Sequence, residues 1–269
     1  MLTAARSSRR TAVLRFPKHV LGRSRSSHPV CAAAQTEDPV YKGIYGDWQV
    51  EESDRLEVLG YRGGISVAAL ALLLETAIAF SPEGSGLRSV LGGLQNGIVL
   101  TGAVGLGVSL VLIHIYVTPL KRFLQAIYLA GLAGGIGLIA TQADPLPQYV
   151  AQHPSAVWLV GPFFAAVTGL AFKEGMCYGK PECAALFFVT PILLLGHLTG
   201  LIPESGQQGL LLAFVALFTV FAGRKYTQAI KDDIGDKSVF MFQAMSEDQQ
   251  QAHVAAMQQP QGLETSDSI

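Results

Sequence analysis

The chain has 269 residues, half of them hydrophobic and only 14% charged, with 29 glycines, whereas an ordinary soluble domain carries roughly 25% charged residues. The near-neutral net charge of −1 averages two unlike parts: residues 1–32 hold six Arg, one Lys and no acid, and the remainder holds 12 Lys and Arg against 20 Asp and Glu. An acidic body lacks the clustered basic surface that nucleic-acid phosphates require, and three cysteines are too few for a disulfide scaffold.

Residues 1–32 are rich in Arg and Ser, and the first carboxylate of the chain is Glu37. Arg6, Arg9, Arg10 and Arg15 interrupt any apolar run of the ~7–15 residues that a secretory signal needs. The composition is that of an organelle transit peptide, plastid ahead of mitochondrion, with cleavage expected before Ala33 in Val30-Cys31-Ala32-Ala33. A basic tail that stays attached is the alternative. Residues 33–62 form an acidic segment expected on the stromal side, with Glu51, Glu52, Asp54 and Glu57. Ser53 is placed there to cap a short helix leading into the membrane.

Crossing a bilayer takes ~20 apolar residues, with a range near 17–25. Six stretches qualify within residues 63–223: 63–80, 94–117, 123–140, 156–172, 183–202 and 209–223. Pro82 and Gly84, Pro119, Pro145 and Pro147, Gly179 and Pro181, and Pro203 and Gly206 punctuate the connections. Residues 224–245 return to a stromal C-terminal segment, and the Gln-rich residues 246–269 read as a disordered tail. The fold class is all-α, a polytopic membrane bundle of about six transmembrane helices.

Charge placement orients this bundle. If both termini share a side, that side holds Lys42, Arg55, Arg62, Lys121, Arg122, Lys173, Lys180, Arg224, Lys225, Lys231 and Lys237, and the opposite loops hold only Arg88. Basic residues gather on the inner side of a membrane protein, so both termini are expected in the stroma and the helix count is even. Gly102, Gly105 and Gly107 in the second span, and Gly131, Gly134, Gly135 and Gly137 in the third, are expected to let helix backbones approach closely.

Ile113-His114-Ile115-Tyr116 followed by Pro119-Leu120-Lys121-Arg122-Phe123-Leu124-Gln125 resembles the central motif of an integral membrane family of cyanobacteria and plastids, domain of unknown function 2301. Ala171-Phe172-Lys173-Glu174 and Ile234-Gly235-Asp236-Lys237-Ser238-Val239-Phe240 are similar to its other recurring stretches, and the resemblance runs from about Tyr41 to Phe242. It implies a photosynthetic lineage and a membrane location, and brings no activity, ligand or catalytic residue.

Ionisable groups inside a span are rare and mark functional positions; Glu75, His114 and His197 are the candidates here. Glu75 and His197 each fall five residues before the lumenal end of a span, roughly 8 Å deep at 1.5 Å per residue. They are placed to meet, as a proton or ion site or as a structural clamp. His114 falls near the other face, too far from His197 to share a metal ion or a haem iron. Single ligation of a haem or pigment by one histidine stays open.

On the stromal face Lys121, Arg122 and Gln125, with Lys173, Glu174 and Lys180, form a candidate site for a lipid headgroup or small anion; topology-setting charge is the other reading. Cys177 and Cys183 are a candidate redox pair or two inert thiols.

No phosphate-loop, zinc-protease, nucleophile-elbow or dinucleotide signature occurs in a fitting context. No catalytic residue or metal site is assigned. Three functions follow as expectations: a non-enzymatic assembly or maintenance factor in thylakoid or inner envelope, partnered by the lipid bilayer and by photosynthetic membrane proteins; a small transporter using Glu75 and His197; or a haem or pigment protein. A three-plus-three inverted repeat is suggested by Leu110–His114 and Leu193–His197, each closing the second span of a half.

Overall fold

The computed structural model describes residues 39–258; the expected transit peptide, 1–32, and the last part of the tail, 259–269, lie outside them. The described chain opens with an antiparallel hairpin, β1 (Tyr41–Gly43) and β2 (Gly46–Trp48), in which Tyr41 pairs with Trp48. Eleven helices follow: α1 (Glu52–Phe80), α2 (Gly86–Leu91), α3 (Gln95–Leu112), α4 (Thr118–Thr141), α5 (Leu146–Gln152), α6 (Val157–Tyr178), α7 (Pro181–Thr199), α8 (Glu204–Arg224), α9 (Ile230–Ile234), α10 (Lys237–Gln243) and α11 (Glu247–Gln258).

Six of these, α1, α3 with the preceding turn, α4, α6 with its lead-in turn, α7 and α8, are long and apolar enough to cross a membrane. The six expected spans therefore stand, with shifted ends. There is no separate helix ahead of the first span: α1 runs unbroken from Glu52, because Asp54 accepts the Glu51 N–H at 2.8 Å and closes the first turn. The second span ends at Leu112 rather than 117. Ile113 leaves the helix, and Gln125 Nε2 covers the otherwise open Leu110 carbonyl at 3.0 Å. The fourth and fifth end where Gly179 and Gly200 turn left-handed, at φ 60° and 66°, a conformation glycine adopts without a Cβ clash.

The six long helices form a ring in sequence order. Each packs on the next, α1 most extensively on α3, and α8 closes the ring on α1. Small residues set the tightest approaches. A Cβ on Gly64 would strike the Gly105 carbonyl oxygen, one on Gly131 the Phe163 backbone nitrogen, and one on Gly134 the Leu159 carbonyl oxygen. Gly102 and Gly107 also face neighbours, whereas a Cβ on Gly137 would meet open space.

The middle of the ring is filled. Ile65 of α1, Leu106 and Leu110 of α3, Leu124 of α4, Leu170 of α6, Leu186 of α7, and Phe214, Phe218 and Phe221 of α8 belong to one buried cluster.

At one end the flanks fold over the ring as a cap. Asp236 Oδ2 accepts the Ile44 N–H at 2.7 Å, Tyr116 OH accepts the Asp236 N–H at 2.5 Å, and Tyr45 stacks on Phe242 at 3.9 Å. The disorder expected from residue 246 does not hold for Glu247–Gln258, which are helical. Glutamine is a competent helix former, and His253 Nε2 donates to the Tyr45 carbonyl at 2.7 Å, anchoring α11 to the hairpin.

Candidate functional site

The cap end holds a buried charge cluster. Glu174, in the last turns of α6, is fully buried and accepts four donors. Its Oε1 takes Tyr61 OH at 2.7 Å and Lys173 Nζ at 3.1 Å; its Oε2 takes Lys180 Nζ and Lys225 Nζ, each at 2.7 Å. Lys225, just after α8, also reaches Asp233 Oδ1 at 2.5 Å. Asp233 of α9 takes in addition Arg62 Nε of α1 and Gln228 Nε2, both at 2.7 Å. One chain of charges thereby ties α1, α6, α8 and α9 together.

Burial pushes the Lys225 ammonium down to about 8, against the pull of the Glu174 and Asp233 carboxylates. Its Nζ also lies 4.6 Å from the centre of the Tyr61 ring. A charge placed out of water is tolerable only when paired and hydrogen-bonded, and both carboxylates meet that condition.

Of the residues expected on that face, Lys173 and Lys180 both bond Glu174, and the others stand on α4. Lys121 lies near Glu57, and Arg122 is exposed. Gln125 Nε2 donates to the Leu110 carbonyl. Missed altogether were Tyr61, Arg62, Lys225 and Asp233 as a unit. Arg62 and Lys225 had been counted only as topology-setting charges, and nothing local in the sequence links them to Asp233.

The opposite end carries two shorter polar chains. Gln95 Nε2 donates to Glu75 Oε2 at 2.9 Å, and Gln148 Nε2 of α5 donates to Gln95 Oε1 at 2.7 Å. The other Glu75 oxygen is buried with no hydrogen-bond partner among the described residues. His197 Nε2 meets the Val150 carbonyl of α5 at 2.8 Å, and its Nδ1 meets Gln207 Oε1 at 2.9 Å. Gln207 is oriented by its own Nε2, which donates to the Ile202 carbonyl at 2.8 Å. Both histidine partners are thus acceptors. Glu75 and His197 share no hydrogen bond; the expected direct pair is replaced by two chains that each involve α5.

His114 lies outside the helices, after the end of α3. Its Nε2 is 3.3 Å from Glu57 Oε2, and its ring meets Phe240 edge-on at 5.7 Å. Burial holds it below the ordinary imidazole range, opposed by Glu57. It sits at the cap end and His197 at the other, and because one follows a helix while the other lies within one, the two do not occupy equivalent positions of a repeat. The side chain of Cys177 lies outside the described residues; Cys183 is a free thiol buried in the central cluster. Among the described residues no group of three or more His, Cys, Asp or Glu side chains is arranged to hold a metal ion.

No curated protein and no solved structure matches the chain. A family comparison does: residues 108–242, half of the chain, match DUF2301, described as an uncharacterised integral membrane protein. The match takes in the end of α3, the helices α4 to α9, nearly all of α10 and every charged member of the cluster but Arg62, and begins well after Tyr41, where the resemblance was expected to start. With its six membrane-length helices, the chain belongs to this integral membrane family.

Proposed function

We propose that the chain is a non-enzymatic integral membrane protein of a plastid membrane, thylakoid or inner envelope, that assists the assembly or maintenance of the photosynthetic membrane. Both termini lie in the stroma in this reading, and residues 1–32 act as the transit peptide. The observation that carries it is the filled centre of the ring. Side chains from all six long helices pack there as one apolar cluster, and the buried carboxylates of the cap end, Glu174 and Asp233, are each held by cations. Such a bundle presents surfaces to partners rather than a path to a solute. The folded cap supplies an extramembrane surface for photosynthetic subunits. Affinity purification of the full chain from a photosynthetic membrane tests this: subunits of the photosynthetic apparatus are expected to co-purify, and their consistent absence counts against the role.

A second reading, a small proton or ion transporter, is favoured by one specific observation: Glu75 keeps a buried oxygen without a partner, while His197 faces two acceptors. Proteoliposomes bearing the natural chain and Glu75→Gln or His197→Ala variants decide it. Ion or proton flux that falls with either substitution supports transport, and equal flux in all three excludes these residues from a path.

A further inference from the structure

The charge cluster is not neutral. Among the described residues the ion pairs of Arg62, Lys173, Lys180 and Lys225 go to Glu174 and Asp233, so the directly bonded group carries a formal surplus of two positive charges. All six side chains are more than nine-tenths buried by residue exposure. The carboxylates are saturated with donors while the ammoniums are not. Lys173 and Lys180 each make one hydrogen bond, to opposite oxygens of Glu174, out of the three that an ammonium can donate. The neighbouring acids are bonded elsewhere: Glu182 holds Arg224, and Asp54 and Glu51 share Lys237.

Position narrows what supplies the missing charge. Lys173 lies near the C-terminal, cap-side end of α6, and Lys180 immediately before α7, where one membrane-length helix gives way to the next. Both ammoniums lie over the ring of Tyr178, at 4.6 and 5.3 Å from its centre. On the same last turns of α6, Phe172 and Met176, one helical turn apart, are exposed, an apolar strip suited to an acyl chain. Basic pockets between helices at this depth suit anionic headgroups.

We propose that Lys173 and Lys180 form a binding site for a tetrahedral oxyanion of the phosphate type, with Lys225 and Arg62 contributing charge from behind through Glu174 and Asp233. The source is either the headgroup of an anionic lipid or free phosphate. The site is independent of the assembly role and of transport. It also departs from the set expected on sequence, because Arg122 and Gln125 take no part.

The experiment uses the full chain in nanodiscs of phosphatidylcholine, with and without phosphatidylglycerol. Thermal unfolding is followed alongside mass spectrometry of retained lipid. Phosphatidylglycerol is expected to raise the melting temperature by several degrees and to stay bound to the natural chain. Inorganic phosphate in plain phosphatidylcholine discs, set against sodium chloride of equal ionic strength, forms the second arm; a rise there and none with phosphatidylglycerol assigns the site to the free ion.

In Lys173→Gln/Lys180→Gln either rise should vanish. That variant should still fold, since it loses surplus cations and Glu174 keeps Lys225 and Tyr61. Lys180→Arg should retain the rise, and so should Arg122→Gln. No rise with either probe overturns the proposal. So does an equal rise in the double variant, or failure of Lys180→Arg and Lys180→Gln alike to fold, which would make Lys180 a structural strut.

Discussion

Glu174 is the residue on which most of the cap end converges. Changing it to Gln would leave Lys173 and Lys180 around a neutral amide without their carboxylate, and Lys225 with Asp233 alone. Removing one partner of a buried charge pair costs on the order of 3–5 kcal/mol, and a loss of that size is expected for Glu174→Gln in denaturant or thermal unfolding. Lys180→Gln should cost far less, because it relieves a surplus.

His114 gives a pH signature of definite sign. Its folded value lies below that of the unfolded chain, so on acidification the unfolded chain takes up the proton first. Its contribution to stability is intact above about pH 6.5, the ordinary imidazole value, and is lost as the pH falls below it. His114→Gln is expected to flatten the acid limb of stability below about pH 6.5; parallel curves would show that His114 is exposed to water.

At this scale the sequence showed half of the site. Lys173, Glu174 and Lys180 lie within eight residues and were legible as a group. Asp233 was not, because its partner Arg62 is 171 residues away and only the folding of the cap brings α9 onto α1.

Among the elements, the six spans were readable because hydrocarbon imposes a length and a composition that no loop satisfies. Their ends were less legible. Where the second span stops depends on His114 and Tyr116 turning outward to Glu57 and Asp236, contacts made with distant parts of the chain. The helix α11 escaped detection for a similar reason: its polar composition carries no apolar stripe, and it is held by His253 on the hairpin.

The glycines divide by geometry rather than by spacing. Gly131→Ala is expected to force α4 away from α6, since its Cβ would strike the Phe163 backbone, at a cost of roughly 1–3 kcal/mol. Gly137→Ala on the same helix, with open space around it, should be neutral or stabilising by up to about 1 kcal/mol. Thermal unfolding of the pair checks this, and equal effects would deny the close α4–α6 contact.

At the scale of the molecule, a ring of six helices in sequence order puts the flanks, the α3–α4 connection and the α6–α7 connection at the cap end, and Arg88 with the α7–α8 connection at the other. The hydrogen bonds from Ile44 to Asp236 and from Asp236 to Tyr116 hold the two flanks and the α3–α4 connection together independently of any charge count. The basic residues counted on one side of the sequence therefore meet at one end of the fold.

Single cysteines placed at Arg88, Arg122 and Glu247, in a chain whose natural cysteines have been replaced, test this directly in sealed, oriented membrane vesicles. An impermeant maleimide should label positions 122 and 247 from one side and position 88 only from the other. Labelling of positions 88 and 122 from the same side would contradict the six-span bundle and the single-sided cap built upon it.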